Sequence, residues 1–356
     1  MPNNNHNQPL TIFISTPLEA EHAERIRTVD SSRINLIYEP DFFPPLRYAA
    51  DHRGVEGFRR TEEQDKKWLA YLKQADILWD FPNRLVYGRA GLEVIPNVKW
   101  VQTTSSGVGM LIVKLGLQDS DLLVTTARGV HAGPLTEFFL LGVLMHFKRL
   151  AFLEDEQKAH HWERYCGEEL DGKTLAVIGV GQVGQRIAQV ARFMGMRLLG
   201  MGAHMDAAKG SQLGFERMYA PGELLEMLPR ADVVVMCVPH TPETENMIGQ
   251  AAFEAMKDGM VFVNVSRGQT VDEPYLIKAL ESGKIGSAVL DVFATEPLPE
   301  NSPIWDIPNV LVSPHSASTV ASENAKITDI FCHNLRCYLD GKIDEMKNVL
   351  NKARMY

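Results

Sequence analysis

The chain has 356 residues, 45% of them hydrophobic and 23% charged, with a formal net charge of −9. That length accommodates two ordinary domains, and the acidic balance excludes a surface built for nucleic acid, which needs clustered Lys and Arg. No stretch approaches the roughly 20 uninterrupted apolar residues of a membrane span, and the polar opening MPNNNHNQP lacks the apolar core of a secretory signal, so a cytoplasmic protein is expected.

Short apolar runs alternate with helical patterns from the start. LTIFIST (10–16), INLIYE (34–39), ADILWDF (75–81), VKWVQTT (98–104) and LLVTTA (122–127) read as strands, with a helix over 62–74 between the second and third. The stretch 39–65 carries Pro40, Pro44, Pro45 and many charges, and reads as an irregular excursion. PLTEFFLLGVLMHFKRL (134–150) reads as a buried helix that connects domains or packs a dimer. A second strand series follows: TLAVIGV (174–180), RLLGMG (197–202), DVVVMCV (232–238), MVFVNVS (260–266), GSAVLDV (286–292) and NVLVSP (309–314). Strands alternating with helices imply parallel sheets covered on both faces, so the chain reads as two α/β domains. The four cysteines show no C-x-x-C spacing and His160-His161 is adjacent, so reduced thiols and no metal site are expected.

Residues 174–190 read TLAVIGVGQVGQRIAQV, with Gly179, Gly181 and Gly184 forming G-x-G-x-x-G between a strand and a helix. The first glycine permits a tight turn, the second a close approach of backbone to a pyrophosphate, and the third close helix–strand packing. The helix start at Gln182 and Val183 then offers free N–H groups and a positive dipole end to phosphates. An NAD site commonly places an acid at the end of the next strand, about 20 residues on, to bond the ribose 2′-OH. Gly202 stands there instead, followed by His204 and Lys209. A missing carboxylate and added cations favour NADP over NAD, the alternative being that Asp206 takes the acidic role.

In an open α/β sheet, ligands sit beyond the carboxyl ends of the strands. The loops there bring Val238, Pro239 and Thr244 from VPHTPETENMIG, Val265, Ser266 and Arg267 from NVSRGQTVDE, Glu296 from LDVFATEPLP, and His315 and Ser316 from SPHSA. An Arg, a Glu and a His at three successive strand ends make a constellation that none of them makes alone. These loops resemble those of the D-isomer-specific 2-hydroxyacid dehydrogenase family, and reducing a 2-keto acid, the reaction that the resemblance implies, needs a cation for the carboxylate, a hydride donor and a proton donor for the forming alkoxide. Arg267 suits the first through its planar fork, and His315 suits the last. Glu296 would orient the imidazole and favour its protonated form.

The stretches VIGVGQVGQRIA, VPHTPET, NVSRGQTVDE, DVFATEPLP and SPHSA, in that order, resemble the D-isomer-specific 2-hydroxyacid dehydrogenase family from about residue 130 to 320. The amino-terminal part resembles it more loosely, in TTSSGVG (103–109) and ARGVHAGPLTEF (127–138). The resemblance implies a flavodoxin-like substrate domain from residues 1–129 and 319–356, with a Rossmann cofactor domain, 130–318, inserted. It implies a carboxylate cradle at the backbone of Ser106, Gly107 and Val108, a nicotinamide carboxamide contact at Asp291, and a homodimer. The chain stops too soon for a regulatory domain of the long phosphoglycerate dehydrogenases, and Glu296 stands where formate dehydrogenases place glutamine. The look is most like the NADPH-preferring glyoxylate and hydroxypyruvate reductases, with NADP or NAD as cofactor and a short 2-keto acid as substrate. His131 and His240 read as loop residues. The rival reading is a corepressor-like protein on the same fold, which binds a dinucleotide to control partner assembly and can keep the same triad.

Overall fold

The computed structural model describes residues 9–82, 94–203 and 206–355. It divides into two compact units, Met1–Val130 with Thr319–Tyr356, and His131–Ser318. Each is an all-parallel sheet with helices packed on it.

The first unit holds five strands: β1 (Leu10–Ile14), β2 (Ile34–Ile37), β3 (Ile77–Trp79), β4 (Trp100–Gln102) and β5 (Leu123–Thr125). Their order is β2-β1-β3-β4-β5, the doubly wound order of flavodoxin-like folds. The central strands are buried on both faces, which explains why ILW and WVQ show no polar alternation. Thr61 starts the helix Glu62–Gln74 through a capping box, its hydroxyl accepting from Gln64 N–H while the Gln64 side chain accepts from Thr61 N–H. The helix Glu323–Leu339 returns from the far end of the sequence and lays Ile327, Phe331 and Leu335 into the core of this sheet. Phe331 stacks on Trp100 at 5.0 Å between ring centroids and tilts against Trp79 at 5.7 Å.

The excursion between β2 and the helix at 62 has its own organisation. A 3-10 turn, Pro40–Phe42, opens it. Buried Asp51 then gathers the Arg47 guanidinium and the N–H groups of Arg47, Arg53 and Gly54 around one carboxylate. Those hydrogen bonds outweigh burial and hold the Asp51 carboxyl well below the usual range.

The second unit holds β6 (Thr174–Ile178), β7 (Arg197–Met201), β8 (Arg217–Tyr219), β9 (Val233–Met236), β10 (Met260–Asn264), β11 (Ile285–Leu290) and β12 (Val310–Val312). The order β12-β11-β10-β9-β6-β7-β8 is the dinucleotide-binding arrangement, with its switch point between β6 and β9. Edge strand β8, three residues of ERMYAP, has no apolar run to announce it in the sequence. Most other strands stop a residue or two before the expected runs do, although Ser15, Thr103, Val265 and Ser313, just past their ends, stay buried and still donate a backbone N–H to the neighbouring strand.

The apolar segment expected as one helix over 134–150 is two. Ala132–Phe147 ends where Arg149 turns left-handed, at φ 53°, and Leu150–Lys158 follows. The first of these packs Leu135, Phe139, Val143 and Phe147 into the core of its own sheet. Gly142 lies against Val289, where an added Cβ would fall 2.2 Å from a methyl group. That face of the helix is therefore spent within the unit.

Phe331→Ala should cost the first unit about 3–5 kcal/mol, the usual penalty for emptying a buried aromatic site. A fall in the urea midpoint that leaves the second unit's transition in place would show it.

Candidate active site

The glycine loop between β6 and the helix Gln182–Phe193 is shaped by contacts that side chains would block. Gly179 is left-handed, at φ 100°, and a Cβ there would lie 2.6 Å from the Cys237 carbonyl carbon. A Cβ on Gly184 would sit 2.2 Å from the Gly179 carbonyl oxygen, so helix and strand could not close. Gly181, just before the helix, faces open space. With a 12-residue helix aimed at it, this loop fits a pyrophosphate: bare backbone, free N–H groups and room in front. Burial against this turn pushes the Cys237 thiol up to about 12.

Gly202 follows β7 directly and offers no carboxylate to a ribose. His204 lies outside the described residues. Asp206 caps the helix Ala207–Gln212, accepting from Lys209 N–H at 2.8 Å, and pairs with the Lys209 ammonium at 3.6 Å. Its carboxylate is thus engaged by the next helix. In the loop after β9, Val238 and Pro239 line the turn, and Thr244 braces it by donating to Pro239 O at 2.7 Å and accepting from Thr241 N–H. His240 pairs with Glu245 in the same loop.

Beyond β10 the chain turns sharply at Asn264, whose side-chain oxygen accepts from the N–H and hydroxyl of Ser266 while its amide donates to Arg267 O. Thr270 donates to the same carbonyl at 2.7 Å. Val265 and Ser266 are buried, so they present backbone. Arg267 is half-buried, and burial lowers its pKa against the pull of Glu296 and Asp291. Its guanidinium makes one hydrogen bond, to Ser266 O at 2.6 Å, and among the described residues it makes no ion pair within 4.0 Å. Most of its planar donor edge is left for an anionic ligand.

Gly268 joins this loop to the next. A Cβ on it would lie 1.9 Å from the Phe293 carbonyl, so only glycine lets the turn after β10 touch the turn after β11. Phe293 N–H then donates to Glu296 Oε1 at 3.1 Å, which leaves Oε2 for His315 Nδ1 at 2.8 Å. A carboxylate only accepts, so Nδ1 carries a proton and Nε2 is the nitrogen that can exchange one with a ligand. Burial would raise the Glu296 pKa. The His315 ring, the Phe293 N–H and the nearby Arg267 charge outweigh it and hold the carboxyl below its ordinary value.

His315 is itself left-handed, at φ 53°, a conformation that costs a non-glycine residue energy and must be held by its surroundings. Asp291 does the holding. Its carbonyl accepts from His315 N–H at 2.9 Å, and its carboxylate Oδ1 accepts from the Ser313 hydroxyl at 2.7 Å and Ala317 N–H at 2.9 Å. Ser316 lies in the same exposed turn. Arg267, Glu296 and His315 are therefore gathered at the carboxyl edge of one sheet. The sequence reading missed the bracing by Asn264, Thr270 and Gly268, and the only signal for it was the run of small polar residues around Arg267.

Ser106, Gly107 and Val108 belong to the other unit, in the turn between β4 and the helix Gly109–Lys114. Gly107 N–H points at the Ser105 hydroxyl, 3.4 Å away. One group of ligand-type side chains, Glu156, His161 and Glu163, converges on the surface, where the imidazole pairs with both carboxylates. No helix among the described residues is long and apolar enough to cross a membrane.

Residues 140–317 match the family described as D-isomer specific 2-hydroxyacid dehydrogenase, NAD binding domain. A D-3-phosphoglycerate dehydrogenase from Mycobacterium leprae is 34% identical over 301 residues, covering 82% of this chain and 53% of its own. The chain spans about half the length of the curated phosphoglycerate dehydrogenases it matches. Glyoxylate/hydroxypyruvate reductase B from an Enterobacter species is 32% identical over 266 residues, covering 73% of this chain and 80% of its own. Among solved structures, a D-isomer specific 2-hydroxyacid dehydrogenase from Xanthobacter autotrophicus, in complex with NADPH and MES, superposes with a TM-score of 0.74. It is 25% identical and the match covers 98% of this chain and all of that one.

The lowered Glu296 pKa has a direct consequence for stability. A depressed carboxyl stabilises the fold above its unfolded value, 4.5, and loses that contribution as pH falls through the lowered folded value. The melting-temperature gap between the wild type and Glu296→Gln should therefore be constant near neutrality and close in acid. Melts taken across about pH 3 to 7 check it.

Proposed function

The chain belongs to the D-isomer-specific 2-hydroxyacid dehydrogenase family, and on that premise we propose that it is an NADPH-dependent reductase of a short 2-keto acid, giving the D-2-hydroxy acid. The observation that carries this reading is the Glu296–His315 pair, 2.8 Å apart, gathered at one sheet edge with Arg267 and its uncommitted donors.

The bound nicotinamide supplies the hydride. The chain's own residues do the rest. Arg267 grips the keto acid by its carboxylate and carbonyl oxygens, where a planar fork discriminates better than an ammonium. His315, protonated on both ring nitrogens, passes the Nε2 proton to the forming alkoxide, and Glu296 accepts from Nδ1–H and holds the ring in the orientation that allows this. Desolvation strengthens both contacts, since Arg267 is half-buried and its charge is weakly screened. Backbone N–H groups at Ser106, Gly107 and Val108 receive the substrate carboxylate in this reading, and Asp291 receives the carboxamide of the cofactor.

Two features favour NADPH. Gly202 leaves the ribose position without a carboxylate, and Asp206 is already held by Lys209. A homodimer is favoured by the apolar side chains left outside around the helix Leu150–Lys158 and the segment after it. Leu153 and Tyr165 are exposed there, and Trp162 is 93% exposed, more than a lone chain commonly leaves in water. The curated relatives divide between phosphoglycerate dehydrogenases and glyoxylate or hydroxypyruvate reductases. The second group is favoured by the missing carboxylate at Gly202 and the stretch PLPENSPIWDIPNVLVSPHSA, which look most like it.

Loss of nicotinamide absorbance tests the reading, with NADPH and NADH each offered glyoxylate, hydroxypyruvate, pyruvate and phenylpyruvate. Fast oxidation of NADPH with a short acid is expected. Preference for NADH would overturn the cofactor assignment, and tight cofactor binding without turnover would favour the corepressor-like alternative. His315→Ala should lower kcat by roughly 10²–10⁴-fold with cofactor affinity nearly unchanged. Arg267→Ala should chiefly raise KM for the keto acid. Wild-type turnover in His315→Ala would rule the mechanism out.

A further inference from the structure

We propose that Glu273 and Gln269 are positioning residues, which together clamp Ala294 and so fix where Glu296 stands against His315. The proposal rests on the reductase reading and adds to its machinery two residues that act only through Glu296.

Glu296 is carried by a loop with little else to hold it. Residues 294–297 are exposed and irregular, whereas Asp291, Val292 and Phe293 just before them are buried. Among the described residues, hydrogen bonds tie 294–297 to the rest of the unit at two places. One is the Glu296 carboxylate, already engaged by Phe293 N–H and His315. The other is Ala294. Gln269 Nε2 donates to Ala294 O at 3.0 Å, and Ala294 N–H donates to Glu273 Oε2 at 2.9 Å. Both polar groups of one residue are thus gripped by side chains, two positions before Glu296.

The clamp stands on packed backbone. Gln269 lies in the 3-10 turn Gly268–Thr270, which begins immediately after Arg267. Its carbonyl accepts from Asn246 N–H at 2.9 Å, and Thr270 O accepts from Ile248 N–H at 3.1 Å, so the loop after β9 braces this turn. Glu273 opens the helix Glu273–Glu281, whose start is capped by Asp272, accepting from Tyr275 N–H at 3.2 Å. Thr270 and Leu276 are buried. Gly268 itself meets the Phe293–Ala294 peptide, so a contact between backbones is followed directly by the grip of two side chains. An exposed loop is only as well placed as the groups it is tied to, and here both ties start from fixed positions.

An acid in the first turn of a helix commonly serves the helix dipole. Glu273 does more, because its carboxylate spans 21 positions of sequence to reach one N–H, and among the described residues it makes no ion pair within 4.0 Å. The charges that act most on Arg267 are those of Glu296 and Asp291. The main chain at Ala294 is therefore the route by which Glu273 reaches the triad. Releasing Ala294 frees Glu296 to shift, and a misplacement of about 1 Å near reacting groups can cost up to about 10²-fold in rate. Arg267 and the glycine loop stay where they are, so the grip on keto acid and cofactor is kept.

The keto acid that the wild type reduces best with NADPH, among glyoxylate, hydroxypyruvate, pyruvate and phenylpyruvate, serves to test this. Rates and NADPH affinity are measured for Glu273→Ala, Glu273→Gln, Gln269→Ala, Glu296→Ala and the double variant Glu273→Ala with Glu296→Ala. Glu273→Ala should lower kcat by about tenfold, with KM for the keto acid and Kd for NADPH within about twofold of wild type. Glu273→Gln should restore kcat to within about threefold of wild type, since its amide oxygen still accepts from Ala294 N–H. Gln269→Ala opens the other side of the clamp, should lower kcat in the same way, and serves if Glu273→Ala folds poorly. Added to Glu296→Ala, Glu273→Ala should change kcat by less than about twofold, because its effect runs through Glu296. Equal losses in Glu273→Ala and Glu273→Gln would assign the effect to charge at the helix start and overturn the proposal. So would the same loss with and without Glu296, or an unchanged kcat in both Glu273→Ala and Gln269→Ala. A wild type that reduces none of the acids would overturn the reductase reading itself, and this inference with it.

Discussion

Two backbone turns meet at Gly268, where there is no room for even one carbon atom between them. The turn after β10 carries Arg267, and the turn after β11 leads to Glu296. Their contact sets how far the guanidinium stands from the carboxylate, and through the carboxylate where His315 points. A parallel sheet delivers its loops to one edge, but it does not bring them into register with each other. Here the register comes from a missing side chain at Gly268, the Asn264 cap beneath Arg267, and Asp291, which ties the loop after β12 to the end of β11.

The electrostatics follow from that packing. Burial works against charge at both Arg267 and Glu296, yet each is the other's compensation, and the imidazole adds to the pull on the glutamate. Removing any one of the three leaves the remaining charges less well supported. Such groups act as a unit, and their single-substitution effects are not expected to add.

Much of this was legible in the sequence, for physical reasons that can be named. The helix expected over 62–74 matches Glu62–Gln74, whose start the structure fixes with a cap between Thr61 and Gln64. The three glycines announced their turn because strand and helix flank them. Arg267, Glu296 and His315 could be assigned to one edge because chain direction in a parallel sheet fixes where loops emerge. Longer-range relations were hidden. Nothing local marks the break at Arg149, the packing of Gly142 on Val289, or the short strand Arg217–Tyr219. Asp80 falls inside the strand expected over 75–81, whereas the strand ends at Trp79 and the left-handed turn at Asp80 is held by Ser15 and Gln102, far away in sequence. The stretch 39–65 read as irregular because its order comes from Asp51, one carboxylate gathering backbone N–H groups, and that leaves no periodic trace.

The helix Glu323–Leu339 carries a further consequence, for how the chain acquires its structure. The second unit is one continuous run of residues, and its core is complete once Ser318 has been made. The first unit is not: Phe331 and Leu335 are part of the core around Trp79 and Trp100, yet more than two hundred residues separate them from those tryptophans. During synthesis the segment that emerges first must wait, with its sheet face open, until the other unit has been threaded out behind it. The unit begun earliest is the one finished last, and in that interval its uncovered aromatic face is a natural target for holding factors and a point of entry for misassembly.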